Sequence, residues 1–412
     1  MSDINDKVKA SATTLLIENE ASLAELDEAD IDIAVVDGTF MTDFKYLVPH
    51  RLGVPFVSVS DFFDPWHTGV PWLPSFTPYW LLPYSHEMNF LERMKNTALY
   101  FYVRLVGISP KVSPEIVAKY SEFGSFSSPG EISAKSKLWI LTSDPVLDYP
   151  KPMMPNMIEA GGISTKPAKP LDPMWTEMFQ RSAGDIVLVS FGSVVSSFPE
   201  ETATKLLTAF GQLKQTVIFR FKNKDELTIP ANVVISDWLP QNDLLANPNI
   251  KVFVTHCGNS GQFEAVYHGV PMIAMPIFGD QFYNAQRVHY RGYGIFVDTF
   301  NFQPDDLVSA INRVSHDPSY KQKIVKASEI FRDRPETPVQ RAVSGIEHIL
   351  KHGGDHLQSH SSKMPLHQFL LLDVLAAALL CFVVGALVSC RIIKCAFGVF
   401  FSRLDHNKSK TQ

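Results

Sequence analysis

The sequence predicts an α/β fold with parallel sheets in two domains, closed by a C-terminal membrane helix. Three observations carry this reading. Short apolar runs alternate with stretches of helical periodicity, the pattern of parallel sheets with crossover helices. Two of the runs end in glycine turns that open onto helical stretches, at Phe191-Gly192-Ser193 and at His256-Cys257-Gly258. One apolar run near the C-terminus, residues 369–390, is long enough to cross a bilayer. At 412 residues the chain has room for two full cores. A net charge of −6, with Lys and Arg dispersed, argues against a nucleic-acid partner. Of the four cysteines only Cys257 lies in the body, so there is no internal disulfide framework and no zinc spacing.

The elements follow in order. Residues 1–30 are polar and acidic, with Leu15, Leu16, Leu23 and Leu26 at helical spacing; without a basic start or an apolar stretch this is not a signal peptide. Residues 31–36 form a strand ending at Asp37, and residues 55–59 a second. Residues 66–83, rich in Pro and aromatics, are too irregular for regular structure, and their aromatics read as packing. A helical pattern resumes at residues 90–95. Prolines and glycines cluster over residues 150–173, which predicts a linker and places the domains at 1–160 and 161–350. The second domain has strands at 185–190, 217–220, 233–235, 251–255 and 272–275, with helices in the gaps. Residues 319–352 are helical with a break at 332–338; Gly345 in the interior costs about 1 kcal/mol relative to Ala and predicts a loosely packed helix.

The most informative stretch runs from Trp238 to Gln281. The strand at 251–255 stops at His256-Cys257-Gly258 and opens a helix. Such a unit points several backbone N–H groups at one spot, with the positive end of a helix dipole behind them, and suits a phosphate. His256 adds a donor able to carry positive charge. Glu264, about two helical turns on, is a carboxylate for ribose hydroxyls. Trp238 offers a flat face for a base, and Asp280-Gln281 pairs an acceptor with a donor for sugar hydroxyls. Together these parts can hold base, ribose, diphosphate and sugar. Cys257 reads as a small residue tolerated in the turn, not as a nucleophile.

The run Trp238-Leu-Pro-Gln241, then Val252-Phe-Val-Thr-His256-Cys-Gly258-Asn-Ser-Gly261-Gln-Phe-Glu264, then Gly279-Asp280-Gln281, resembles the signature of the UDP-glycosyltransferases. That membrane-bound family includes the glucuronosyltransferases; residues 89–96 match another of its recurring strings. The resemblance implies a GT-B architecture, two facing Rossmann-like domains with the ligand at the carboxyl ends of the strands. It assigns donor binding to Gly192, Ser193, Trp238, Gln241, His256, Gly258, Asn259, Ser260, Gly261, Glu264, Asp280 and Gln281, with Gly192-Ser193 backing the diphosphate. One departure stands out: the family has Asn where this chain has Ser260, with Asn259 one place early, so the family's Asn contact is not carried over.

The implied reaction is inverting transfer of glucuronate or glucose from a UDP-sugar to the hydroxyl of a small lipophilic acceptor. It uses no metal and no cofactor beyond the donor, because His256, the helix N-terminus and backbone amides stabilise the leaving diphosphate. The family's general base is a His oriented by an Asp, and Asp37 matches that Asp. The His has no match, since His50, His67 and His86 all follow Asp37. The chain is therefore expected to be a shortened form without the family's signal peptide and first Rossmann units. The rival expectation is a catalytically impaired UDP-sugar-binding membrane protein that pairs with or modulates full-length relatives.

A His-rich linker, 351–368, precedes the apolar run 369–390, which holds one charge, Asp373. In the tail, 391–412, Arg391, Lys394, Arg403, Lys408 and Lys410 stand against Asp405. The positive-inside rule puts this tail in the cytosol and the body in the lumen, with membrane lipid as a partner. The ending Lys408-Ser-Lys410-Thr-Gln fits an endoplasmic reticulum retrieval signal.

Overall fold

The computed structural model describes residues 19–39, 43–106, 112–182, 184–193, 195, 198–222 and 227–408. Leu15, Leu16 and the tail residues from Ser409 on lie outside these. The chain forms two compact units, divided between Gln358 and Ser359.

The first unit holds two all-parallel sheets. The first sheet runs β1 (Ala34–Asp37), β2 (Phe56–Ser60), β3 (Trp139–Leu141) and β4 (Met157–Glu159), in that order. The second comprises β5 (Ile186–Ser190), β6 (Thr216–Arg220), β7 (Val233–Ser236), β8 (Ile250–Thr255), β9 (Met272–Ala274) and β10 (Gly294–Phe296). Its spatial order is β10-β9-β8-β5-β6-β7. Counted within that sheet this is the doubly wound order 3-2-1-4-5-6, and the winding reverses between β5 and β8.

Strand residues of the second sheet divide by period 2 between two covering layers, as both faces of a parallel sheet are buried. Ile186, Leu188, Ile218 and Phe253 face a core shared with the helices Asn259–His268, Gln281–Arg291 and Pro318–Arg332. Val187, Val189, Val217, Phe219, Val252 and Val254 face the other layer, under the helices Glu200–Gly211 and Pro304–His316. Each such side chain, withdrawn from water, contributes roughly 1.5–3 kcal/mol.

Three expectations need correction. The proline-rich segment 150–173 is not all linker, because it contains β4, which pairs with β3 at Trp139↔Met157. Its three residues are too short to show a period among prolines. The helix carrying Gly345, Pro338–His352, is not loose. It returns from the second domain to cover the first sheet, burying Ala342 and Ile349 against Val57, Leu138 and Ile140. A Cβ at Gly345 would lie 2.7 Å from Leu138 Cδ2 and 2.9 Å from Ile158 Cδ1, so glycine is what allows the approach. In the second unit the apolar helix does not end at Cys390. It runs unbroken over Leu372–Lys408, and its stretch Leu372–Gly398 is long and apolar enough to cross a membrane.

Candidate active site

The reversal between β5 and β8 places their two glycine turns side by side. β8 stops at Thr255, whose Oγ1 accepts from the Cys257 N–H at 3.2 Å, and the helix Asn259–His268 starts with Gly258 at its N-cap. The His256 ring fills the space between the turns. A Cβ on Gly192 would lie 2.6 Å from His256 Cε1, and one on Gly258 would lie 2.5 Å from Nε2. Gly192 also has φ +77°, which glycine adopts without strain. Two glycines therefore clamp the imidazole in one place, beside first-turn N–H groups that have no intrahelical partner. Burial holds the His256 pKa down at about 4, and the Ser190 backbone offsets this only in part. Its Nδ1 is buried with no partner in full hydrogen-bond geometry. The ring is thus a neutral imidazole, poised for an anion that would restore its proton.

A cleft of about 470 Å³ opens from this point. Ten of the residues expected to bind donor line it: Gly192, Ser193, Trp238, Gln241, His256, Gly258, Asn259, Ser260, Gly261 and Glu264. Gln241 Nε2 donates to Glu264 Oε2 at 2.6 Å, and burial raises the Glu264 pKa against that bond. Trp238 is 68% exposed, with the Arg220 guanidinium 5.1 Å from its ring centre on one side. That leaves an indole face to the solvent. Arg220 itself lines the cleft and donates to the Gly192 carbonyl, so it ties the turn after β5 to the indole. Sequence reasoning missed Arg220, though a cation ending the buried strand β6 was the available signal. It also missed Ser164, Lys166, Asn242 and Asp243, which no motif marks.

Other expected residues lie elsewhere or are differently employed. Asn259 lines the cleft, but its side chain is spent across the domains. Nδ2 donates to Asp61 Oδ1 at 2.9 Å and to the Thr142 carbonyl at 2.9 Å, while Oδ1 accepts from Arg287. Gln281 does not line the cleft; its Oε1 accepts from the Ile277 and Phe278 N–H groups and shapes the preceding loop. Asp280 is also outside the lining and accepts from Asn284 Nδ2. Burial and the neighbouring Asp61 carboxylate raise the Asp280 pKa. Asp37, at the end of β1, is outside the cleft as well. Lys45 Nζ lies 2.5 Å from its Oδ2, and Thr39 donates to Oδ1. Burial pushes the Asp37 pKa up, but these bonds outweigh it and hold the carboxylate below its ordinary range. Two of the histidines that follow Asp37 have other partners: His50 Nε2 meets the Gly124 carbonyl at 3.0 Å, and His86 Nε2 meets Tyr290 Oη at 2.8 Å. Cys257 is buried at φ +64°, and burial raises its thiol pKa, in keeping with an inert turn residue.

Comparison with known proteins points the same way. A family model described as "UDP-glucoronosyl and UDP-glucosyl transferase" matches residues 1–408. The 2-hydroxyacylsphingosine 1-beta-galactosyltransferase of Rattus norvegicus is 37% identical over 374 residues, 89% of this chain and 68% of that protein. UDP-glucuronosyltransferase 2B17 of Homo sapiens is 34% identical over 420 residues, 99% of this chain and 77% of that protein. Among solved structures, Spinosyn Forosaminyltransferase SpnP superposes with a TM-score of 0.59 at 19% identity, covering 83% of this chain and 84% of that one. Os79 from O. sativa in complex with UDP gives 0.58 at 16% identity, covering 85% and 84%. These likenesses establish a GT-B glycosyltransferase fold.

Proposed function

From the premise that this chain belongs to the UDP-glucuronosyl and UDP-glucosyl transferase family, we propose that it transfers glucuronate or glucose from a UDP-sugar to the hydroxyl of a small lipophilic acceptor, with inversion. The observation that carries the reading is the clamped, neutral His256 at the doubly wound switch point, in a cleft that runs on to Glu264, Gln241 and Trp238. The diphosphate sits against the first turn of the helix Asn259–His268 and takes a hydrogen bond from His256. The ribose hydroxyls bind Glu264, and the uracil stacks on the free face of Trp238. Charge developing on the leaving UDP is met by fixed donors, so the transfer needs no metal. Asp37 stands where the family has the Asp that orients its base, though the base His itself has no counterpart in this sequence, and Asp280 with Gln281 holds the transferred sugar once the loop at Gly279 adjusts. The C-terminal helix anchors the enzyme in the endoplasmic reticulum membrane, with the body lumenal and the tail cytosolic.

The test is turnover of a radiolabelled UDP-sugar by the full chain against a panel of phenols, with UDP binding followed by calorimetry. His256→Ala and Trp238→Ala should each weaken UDP binding by about tenfold or more. Unchanged affinity in both variants would overturn the donor site. A second reading is favoured by the Lys45 ammonium on the Asp37 carboxylate: a membrane protein that binds a UDP-sugar and pairs with related transferases without transferring the sugar itself. UDP binding without turnover on any acceptor would select it.

A further inference from the structure

The helix Pro338–His352 ends in histidines that the donor cleft does not use. His348 and His352 stand four residues apart, on one face of its last turns. The helix stops at Gly353, with φ +68°, and the chain folds back through Gly354 into the turn Asp355–Leu357. That return brings His356 up to the same face. His348 Nε2 lies 2.9 Å from His356 Nε2, and the His348 ring centre is 5.1 Å from those of both His352 and His356. The fold fixes this return at several points. Gly354 is buried where a Cβ would lie 2.8 Å from Lys137 Cβ and 3.2 Å from Ile349 Cδ1. Asp355 Oδ1 pairs with Lys137 Nζ at 2.6 Å, and Gln358 Nε2 donates to the Ser136 carbonyl at 3.0 Å. Leu357 packs against the core that holds Ile349. All three imidazoles are exposed.

We propose that His348 and His356, with His352 as a third nitrogen, hold a divalent transition-metal ion of the class that imidazole suits, such as zinc or copper. Imidazole binds such an ion at about 2.0–2.1 Å, which sets two ring nitrogens about 2.9 Å apart at a right angle and about 3.3 Å apart at the tetrahedral angle. The pair already stands at the first spacing, and side chains in solvent reach the second without moving the backbone. The site also lies at the C-terminus of a 15-residue helix, whose unpaired last carbonyls and negative dipole end favour a cation. Lys137, which the return brings up, is paired with Asp355. Among the described residues no group of three ligands stands fully assembled, so binding turns the His352 ring toward the pair and leaves the other positions to water. The ion would staple the end of the closing helix to the turn that follows it. None of these residues lines the donor cleft, and the inference is independent of the sugar-transfer reading.

The experiment titrates zinc chloride into the untagged full chain, stripped with EDTA in detergent micelles, and follows it by calorimetry. One saturable site per chain is expected. His348→Phe and His356→Asn should each weaken it roughly tenfold or more, and the two together should abolish it. His316→Asn removes another exposed helical histidine, one bonded to the Asn312 carbonyl of its own helix, and should leave the site unchanged. Copper(II) added to the wild-type chain should give an electron paramagnetic resonance signal split by two or three imidazole nitrogens, a reading that needs no variant to fold. The absence of saturable heat would show that the rings only hydrogen-bond to each other, and it overturns the proposal. So does a site that survives both substitutions, or a copper signal split by one nitrogen or none.

Discussion

His256 and His268 show how a residue's protonation is set by where the fold puts it. Both are held at about pKa 4 with burial as the largest cause, His268 with help from the Arg332 charge and against the pull of Asp243. In the unfolded chain each titrates near its ordinary 6.5, so between pH 6.5 and 4 the unfolded state binds protons that the folded state refuses. Their contribution to stability is therefore complete above pH 6.5 and is lost as the pH falls toward 4. Glu264 and Asp280, with raised values, act in the opposite sense, so the clean measurement is a difference. His268 Nε2 lies 3.1 Å from Asn242 Oδ1, a bond a glutamine amide can also donate. His268→Gln should lose less stability than wild type when urea midpoints at pH 7.5 and pH 5 are compared; parallel losses would refute the assignment. Cys257 makes a second point at this scale. A side chain at φ +64° is strained, and β-branching makes it worse. Cys257→Val should cost about 2 kcal/mol or more in chemical denaturation, and Cys257→Gly far less, since glycine accepts the turn.

At the scale of elements, glycine placement decides what packs. The helix Pro338–His352 reaches the first sheet only because Gly345 has no Cβ where Leu138 and Ile158 stand. Gly345→Val should therefore destabilise by about 2–3 kcal/mol, through overpacking that exceeds any gain in helix propensity. Thermal unfolding of the full chain checks this, and a neutral or stabilising effect would mean the helix can shift freely. The same residue shows why legibility was uneven. A helix-interior glycine reads as weakness when only propensity is counted, because the opposing sheet is distant in sequence. The donor side was legible because its chemistry is local: one strand, one turn and one helix bring His256, Gly258 and Glu264 together within nine residues of sequence. β3, β4 and β10, at three residues each, have no period to detect, whereas β9, equally short, shows as the apolar run 272–275. The partners of Asn259, Asp61 and Thr142, were illegible for the same reason as the packing of Gly345, since they follow strands of the other sheet.

In the molecule as a whole, the two sheets are joined by a polar seam beneath the cleft. Arg287, on the helix Gln281–Arg291, bonds Gln262 at 3.1 Å, reaches Asn259, and forms an ion pair with Asp148 in the segment after β3. Arg334 pairs with Asp144 a few residues earlier, and Arg291 donates to the Pro145 carbonyl at 2.9 Å. The Arg287 and Asp148 side chains are 3% and 5% exposed, so both charges have left water. Burial alone would raise the Asp148 pKa, but Arg287 and Lys151 outweigh it and keep the carboxylate ionised. An ion pair so placed is worth little net, because desolvation offsets most of the attraction, yet removing one partner strands the other. Arg287→Met should thus cost about 3–5 kcal/mol, and Asp148→Leu a similar amount, while the double variant should cost much less than their sum. The double variant separates two roles of the seam. If the pair only fills space, Arg287→Met/Asp148→Leu should keep both stability and UDP affinity. Because Arg287 also holds Asn259 at the first residue of the helix proposed to meet the diphosphate, the expected result is recovered stability with UDP affinity still reduced several-fold. Urea denaturation and UDP calorimetry on the same three variants measure this, and full recovery of affinity in the double variant would show that the seam does not position the helix.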